Sequence, residues 1–232
     1  MIKANYYYDL YLIIVTLLTI LEIIYINKFN KIEKIKYVFL LSVAISIYIG
    51  FRPIDRIFGD VIVYKTYYNF QEGDNFIFSF NFNSFIFTNL FKIFASYKLG
   101  LTTFLCFIAF LYFTIELIAL NKLFPNKVLF AFLIYLGAFS TFSYSVNGMK
   151  AGVAASLFTC ALAYRDNIYK CIIFLFLSWG FHHSMHVCII SFFCVYFYNK
   201  SKLYFYIWCI ALLFAIFHIS IFQRILGILT DE

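Results

Sequence analysis

Residues 99–120, the stretch that decides the fold, read LGLTTFLCFIAFLYFTIELIAL. Glu116 is the only charged residue in this run. A helix needs about 20 mainly apolar residues to cross the hydrocarbon core of a bilayer, which is about 30 Å thick. The run therefore predicts a membrane-spanning helix.

Further apolar runs occur along the whole chain, at 9–26, 37–51, 128–146, 151–164, 171–198 and 203–222. The sequence is 64% hydrophobic and 12% charged, which excludes an ordinary soluble domain. We predict an all-α fold, a polytopic transmembrane bundle of about seven or eight membrane helices, forming one integral membrane domain over 1–232. For 171–198 two interpretations are considered, and the basic residues Lys200 and Lys202 favour the second. It is one long helix, or two short limbs with His182–Ser184 at their outer tip.

Charge in the loops predicts the orientation of the helices. More than half of the 18 Lys and Arg residues lie in four short loops, at 27–36, 121–127, 165–170 and 199–202. Basic loops face the cytoplasm, so this pattern explains the net charge of +7 without a nucleic-acid partner. The same topology makes 52–83 an external loop.

One segment after this loop is amphipathic. Ser84, Thr88, Lys92 and Ser96 recur every four residues between Phe and Ile, which places them on one face of a helix. A Lys in the middle of the segment favours a helix that lies at the membrane interface or re-enters the membrane over one that spans it.

Three polar clusters interrupt the apolar pattern, and the topology places all of them at the outer face. They are Arg52 with Arg56 and Asp60, Asn147–Lys150, and His182–Ser184. Arg binds an oxyanion through two parallel hydrogen bonds, and a Lys at a helix N-terminus adds a second cation. We predict Asn147 as the N-cap of that helix and Gly148 as a point where a ligand approaches the backbone. A His beside these cations suits phosphate-bearing lipid substrates.

Each cluster also has a simpler interpretation. The cations Arg52, Arg56 and Lys150 could extend to the membrane surface, or the arginines could pair with Asp55 and Asp60. His182-His183-x-x-His186 is similar to a zinc motif, but a His occupies the position of the Glu general base, so a general base or phosphate donor is favoured. No metal or cofactor is predicted. The carboxyl groups of Glu22 and Glu116, near cytoplasmic helix ends, are expected to reach the surface.

Four short motifs carry a resemblance. They are Phe51-Arg52-Pro53, the stretch from Gly59 to Tyr64, Asn147-Gly148-Met149-Lys150-Ala151 and Phe181-His182-His183-Ser184. In this order, over roughly residues 35–200, they resemble the EpsG family of bacterial polysaccharide-biosynthesis membrane proteins, relatives of Wzy-type polymerases. The resembled patterns have Thr where Val61 stands and an Arg-Gln pair where Lys150 and Ala151 stand. The chain also ends soon after Phe222, which predicts a truncated or divergent member.

The resemblance implies a multi-pass protein of the bacterial cytoplasmic membrane, which joins undecaprenyl-diphosphate-linked oligosaccharides into capsule, exopolysaccharide or O-antigen. It implies a glycosyltransferase in which His182 or His183 removes a proton from the acceptor hydroxyl. Substrate binding falls to Arg52, Arg56, Asp60, Tyr64, Asn147, Lys150 and Ser184. The implied partners are membrane lipid and other proteins of a polysaccharide assembly system. Two alternatives stay open, a non-catalytic membrane partner or transporter of lipid-linked glycans, and a metal-dependent intramembrane hydrolase.

Overall fold

The structure, a computed structural model, describes residues 3–25, 31–80, 82–198 and 200–216. These residues form helices and no strand, which confirms the prediction of an all-α membrane protein. The helices are α1 (Tyr7–Tyr25), α2 (Lys31–Gly50), α3 (Val61–Gln71), α4 (Phe85–Ser96), α5 (Leu101–Leu123), α6 (Val128–Gly137), α7 (Phe139–Val146), α8 (Met149–Ala163), α9 (Ile168–Phe181), α10 (Met185–Phe197) and α11 (Ser201–Ile216). Residues 27–30 of the basic loop 27–36 and the end of the last apolar run, beyond 216, lie outside the described residues, and residues 31–36 belong to the start of α2.

Two helices in the described part are long and apolar enough to cross a membrane. They cover Ala4–Ile24 and Leu101–Leu123, and α6 with α7 would make a third span if that bent pair counts as one. Six further apolar helices are shorter, at 10–17 residues. The number of seven or eight membrane helices therefore stays a prediction.

Helix α5 forms the centre of the packing. It contacts α2, α3, α4, α6 and α8, while α9 packs on α8 and α4. Phe104 and Phe113 are completely buried on α5. The α2–α5 contact is very close, because a Cβ on Gly50 would lie 2.5 Å from the Cα of Cys106. Such small-residue contacts let membrane helices pack through their backbones.

Tyrosine hydroxyls fasten α1 to its neighbours. Tyr48 of α2 donates to the Tyr7 carbonyl at 2.7 Å, and the Tyr7 hydroxyl donates in return to the Tyr48 carbonyl. Tyr11 donates to the carbonyl of Leu136 at 2.7 Å. Hydrogen bonds between helices are favourable in an apolar surrounding, so these contacts fix the position of α1 beside α2 and α6.

The predicted span 128–146 is not one straight helix. The structure breaks it at Ala138, where α6 and α7 meet at 73°. The Thr141 hydroxyl donates to the Tyr135 carbonyl at 2.6 Å, and the Ala138 amide bonds to the same carbonyl at 3.2 Å. These local bonds satisfy the end of α6 and redirect the chain, which apolar content alone could not show.

The predicted external loop 52–83 contains more structure than a loop. It holds a 3-10 turn at Arg56–Phe58 and the helix α3, followed by an extended segment over 74–80. Val61, Tyr64 and Tyr68 are buried on one face of α3. Their spacing of three and four residues is typical of an amphipathic helix and was visible in the sequence.

The run 171–198 is interrupted at His182–Ser184, between α9 and α10. This is the position at which the two-limb interpretation places the break. The described residues also fall into two compact units, one ending at His186 and the other beginning at Val187. In the second unit the Tyr204 hydroxyl of α11 donates to the Tyr198 carbonyl at 2.8 Å.

The carboxyl-bearing residues inside the apolar helices are buried, contrary to expectation. Glu22 is 6% exposed and Glu116 is 5% exposed. The expectation that their side chains reach the membrane surface was wrong. Burial of this kind depends on the tertiary packing and cannot be read from the sequence of one helix.

Candidate functional site

The first polar cluster lies against the second. Arg52 follows α2, is 2% exposed, and donates from Nη2 to the carbonyl of Val146 at 2.9 Å. Its Nη1 donates to the Ile49 carbonyl at 2.9 Å. Among the described residues its Nε has no partner. The guanidinium therefore joins the end of α2 to the break between α7 and α8.

Asn147 makes a second connection between these clusters. Its side-chain oxygen accepts from the Asp60 backbone N–H at 3.0 Å. The predicted N-cap role was wrong, because Gly148 occupies the cap position of α8. The Asn147 side chain instead bonds to the segment that precedes α3. A Cβ at Gly148 would lie 2.9 Å from the ring of Tyr144, so a larger side chain is crowded there, while the approach of a ligand to its backbone stays a prediction.

Gly59 is the residue that permits the contact with Asn147. Its φ is +56°, and a Cβ would lie 2.4 Å from the Asn147 side-chain oxygen. We expect Gly59→Ala to destabilise the protein by about 1–2 kcal/mol, because an L-residue is strained at positive φ and the amide would have to move. The measurement is an unfolding titration in mixed micelles, with Gly137→Ala as control, since a Cβ at Gly137 meets nothing within 4 Å. Equal stability of the two variants would contradict this role.

Lys150 lines a cavity of about 370 Å³ between α3, α4 and α8. The cavity is also lined by Tyr64, Tyr67, Gln71, Ser84, Phe87, Thr88 and Phe91. Tyr64 is buried, with its ring centroid 5.7 Å from that of Phe87. Burial, together with the nearby Asp60, raises the pKa of Tyr64, and Arg52 acts in the opposite direction. Tyr64 therefore stands between the first cluster and the cavity of Lys150.

The third cluster is held at the start of α4. After α9 ends, His182 adopts extended backbone angles, and the amide of His183 donates to the carbonyl of Asn83 at 2.9 Å. Phe85 and Trp179 pack beside this bond with ring centroids 5.8 Å apart. Because the His183 amide bonds to Asn83, it does not continue the hydrogen bonds of α9, and the chain is non-helical between α9 and α10.

The His182 ring is half-buried, and its buried Nδ1 has no hydrogen-bond partner among the described residues. Burial lowers the pKa of His182, and the charges of Lys150 and His183 lower it further. The His183 amide bonds to the carbonyl of Asn83, and the next residue, Ser84, lines the cavity of Lys150, so the second and third clusters meet at the start of α4. A neutral imidazole with a free nitrogen next to a cation can accept a proton.

The remaining predicted residues are more exposed. His183 and Ser184 are exposed, and His186 Nδ1 lies 2.5 Å from the His183 carbonyl oxygen. Arg56 is exposed and forms no ion pair with another described residue, so the suggested pairing with Asp55 or Asp60 is not found. Asp55 instead accepts from the Ile57 amide at 3.0 Å.

Sequence reasoning missed part of this site. Tyr67 and Gln71 line the cavity, but they lie in the segment interpreted as a loop. Ser84 and Thr88 were recognised as members of a polar stripe, without the prediction that this stripe faces Lys150. The four-residue spacing was a sufficient signal for the face of α4, and only the packing of α3 shows what that face covers.

The histidines were also considered as metal ligands. Within the described ranges no group of three His, Cys, Asp or Glu side chains has the arrangement to hold a metal ion.

Comparison with known proteins identifies one similarity. The model of the EpsG family matches residues 54–231, which is most of the chain. This range contains the second and third clusters and Arg56, while Arg52 lies just before it. No curated protein and no solved structure matches the chain.

Proposed function

The chain belongs to the EpsG family of exopolysaccharide biosynthesis, and from this premise we propose that it polymerises lipid-linked oligosaccharides. The substrates would be undecaprenyl-diphosphate-linked repeat units at the outer face of the bacterial cytoplasmic membrane. The observation that carries the proposal is the convergence of three distant polar clusters. Arg52 contacts Val146, and Asn147 contacts Asp60. Lys150 and Ser84 line one cavity, and the His183 amide donates to the carbonyl of Asn83, the residue before Ser84.

The reaction has a simple balance of atoms and electrons. The acceptor hydroxyl oxygen attacks the anomeric carbon of the growing chain, and the bond from that carbon to the diphosphate oxygen breaks. The diphosphate leaves with the electron pair, and His182 takes the proton of the hydroxyl. General-base assistance of this kind contributes about 10²–10⁴-fold to a rate.

The cations divide into two roles. Lys150 lines the cavity and Arg56 has an exposed side chain, and both are proposed to contact the departing diphosphate. Arg52 is engaged with backbone carbonyls, so it acts through position and through its buried positive charge. Burial lowers the pKa of Arg52 to about 10, which leaves it charged at neutral pH. His183, Ser184, Asp60 and Tyr64 are proposed to contact the sugars.

Deletion of the gene from the producing bacterium tests the function. We expect loss of polymer and accumulation of single lipid-linked repeat units on the outer leaflet, because export continues while joining stops. Complementation with the unchanged gene is the control. Accumulation on the cytoplasmic leaflet would instead indicate a transporter, and absence of any accumulation would indicate a non-catalytic partner. Either result contradicts the polymerase.

A further inference from the structure

A second cavity, of about 340 Å³, lies at the far end of the polar face of α4. It is lined by Gln71, Asp74, Asn75, Ile77, Lys92 and Ser96, and it shares Gln71 with the cavity of Lys150. Its volume falls within the range of about 300–1,000 Å³ that is typical of small-molecule sites. None of the residues discussed above as catalytic lines it.

The walls of this cavity are fixed by hydrogen bonds between α4 and the extended segment 74–80. The Asn89 side chain accepts from the Ser79 amide at 3.0 Å and donates to the Ser79 carbonyl at 2.8 Å. Gly73 donates to the Ala95 carbonyl at 3.1 Å, and the Lys92 ammonium donates to the Ile77 carbonyl at 3.3 Å. The segment is thus attached at both ends of the cavity, which gives the site a preformed shape.

The polar groups in the cavity are not satisfied by one another. Asp74 and Lys92 line the same space, yet they form no ion pair in the part of the chain that the structure describes. Lys92 retains two N–H donors after its bond to Ile77. The buried Oε1 of Gln71 has no hydrogen-bond partner among the described residues. An unpaired buried acceptor is costly, and rotation of the Gln71 amide toward the cavity would let a ligand donate a hydrogen bond to it.

We propose that this cavity binds an oligosaccharide. Sugar hydroxyls both donate and accept hydrogen bonds, and the cavity offers acceptors at Gln71 and Asp74 and donors at Lys92. A phosphate headgroup suits the site less, because Asp74 would repel it, and the polar lining does not suit a lipid chain. Tyr67, 58% exposed in the neighbouring cavity, presents an aromatic ring to a sugar that extends from one cavity to the other.

The role of this glycan in the reaction rests on the proposed function. If the diphosphate of the growing chain lies at Lys150, its first sugar occupies the first cavity. The next sugars then pass Gln71 and enter the second cavity. The site would in this way hold the growing chain in register during each transfer.

Binding of the full chain in lipid nanodiscs to a printed array of neutral and uronic-acid oligosaccharides tests this site. We expect the wild type to bind a subset, and Gln71→Leu and Lys92→Met to weaken that binding about tenfold each, as the loss of one hydrogen bond predicts. Matched controls are Asn69→Leu, which likewise replaces an amide by an apolar side chain, and Lys65→Met, which makes the same change, both on exposed positions of α3. The controls should bind as the wild type does.

The outcomes separate this proposal from the polymerase. His182→Ala should keep full array binding, whether or not polymer forms in cells. Failure of the wild type to bind any printed oligosaccharide, or equal binding by Gln71→Leu and Asn69→Leu, would overturn the glycan site. A third result would also overturn it. If vesicles containing undecaprenyl phosphate displace the bound glycan from the wild type and displace it equally well from Lys92→Met, the cavity is a lipid site.

Discussion

Replacing His182 with alanine is expected to reduce glycan extension by about 10²–10⁴-fold, the usual contribution of a general base. Protein level and stability should stay near those of the wild type, because the ring nitrogen Nδ1 makes no hydrogen bond with a described residue. The measurement is glycan chain length in cells at matched protein level. His186→Ala is the control, since His186 is an exposed member of the same group. If His182→Ala and His183→Ala both leave chain length unchanged, the histidines are packing residues.

The pH dependence of the rate distinguishes a base from a packing residue. A base works in its neutral form, so lowering the pKa of His182 moves the acid limb of the rate profile below about 6.5, the ordinary value for histidine. Lys150 contributes to this shift through its charge. Lys150→Gln should therefore lower the rate and also move the remaining acid limb to higher pH. A limb at the same pH in both proteins would contradict the assignment of His182 as the base.

The general architecture follows from the sequence, because few backbone structures are stable inside a lipid bilayer. A long apolar run such as 99–120 must satisfy its backbone polar groups internally, so a helix is the expected result, and α5 covers Leu101–Leu123. The break after Phe181 was one of two open interpretations. Lys200 and Lys202 favoured the break, but the sequence could not show the bond made there, because the partner of the His183 amide is Asn83, far away along the chain.

The site was predictable in its residue types more than in its contacts. Arg52 and Asn147 were recognised as unusual polar residues beside membrane helices. Their partners are a backbone carbonyl of Val146 and a backbone amide of Asp60, groups that every residue has. No pattern of side chains indicates such partners. The Arg52 guanidinium was therefore interpreted as a ligand for diphosphate, whereas in the structure it binds backbone carbonyls.

Arg52→Lys is expected to impair both stability and glycan extension. A lysine ammonium is a single point, and it cannot reach the Ile49 and Val146 carbonyls as the guanidinium fork does. One buried carbonyl then loses its partner, which costs about 1–3 kcal/mol in the free energy of unfolding. The measurement is an unfolding titration in mixed micelles together with glycan chain length in cells.

Arg56→Lys is the matched control for this prediction. It makes the same chemical change, at an exposed residue of the same segment. It should leave stability unchanged and affect only extension, since its role is contact with the diphosphate. The pair of variants thus separates positioning from binding. If Arg52→Lys keeps full stability and still loses extension, Arg52 contacts the substrate directly. The break between α7 and α8 would then be held by the Asn147–Asp60 contact alone, and the Gly59→Ala variant would show the larger loss of stability.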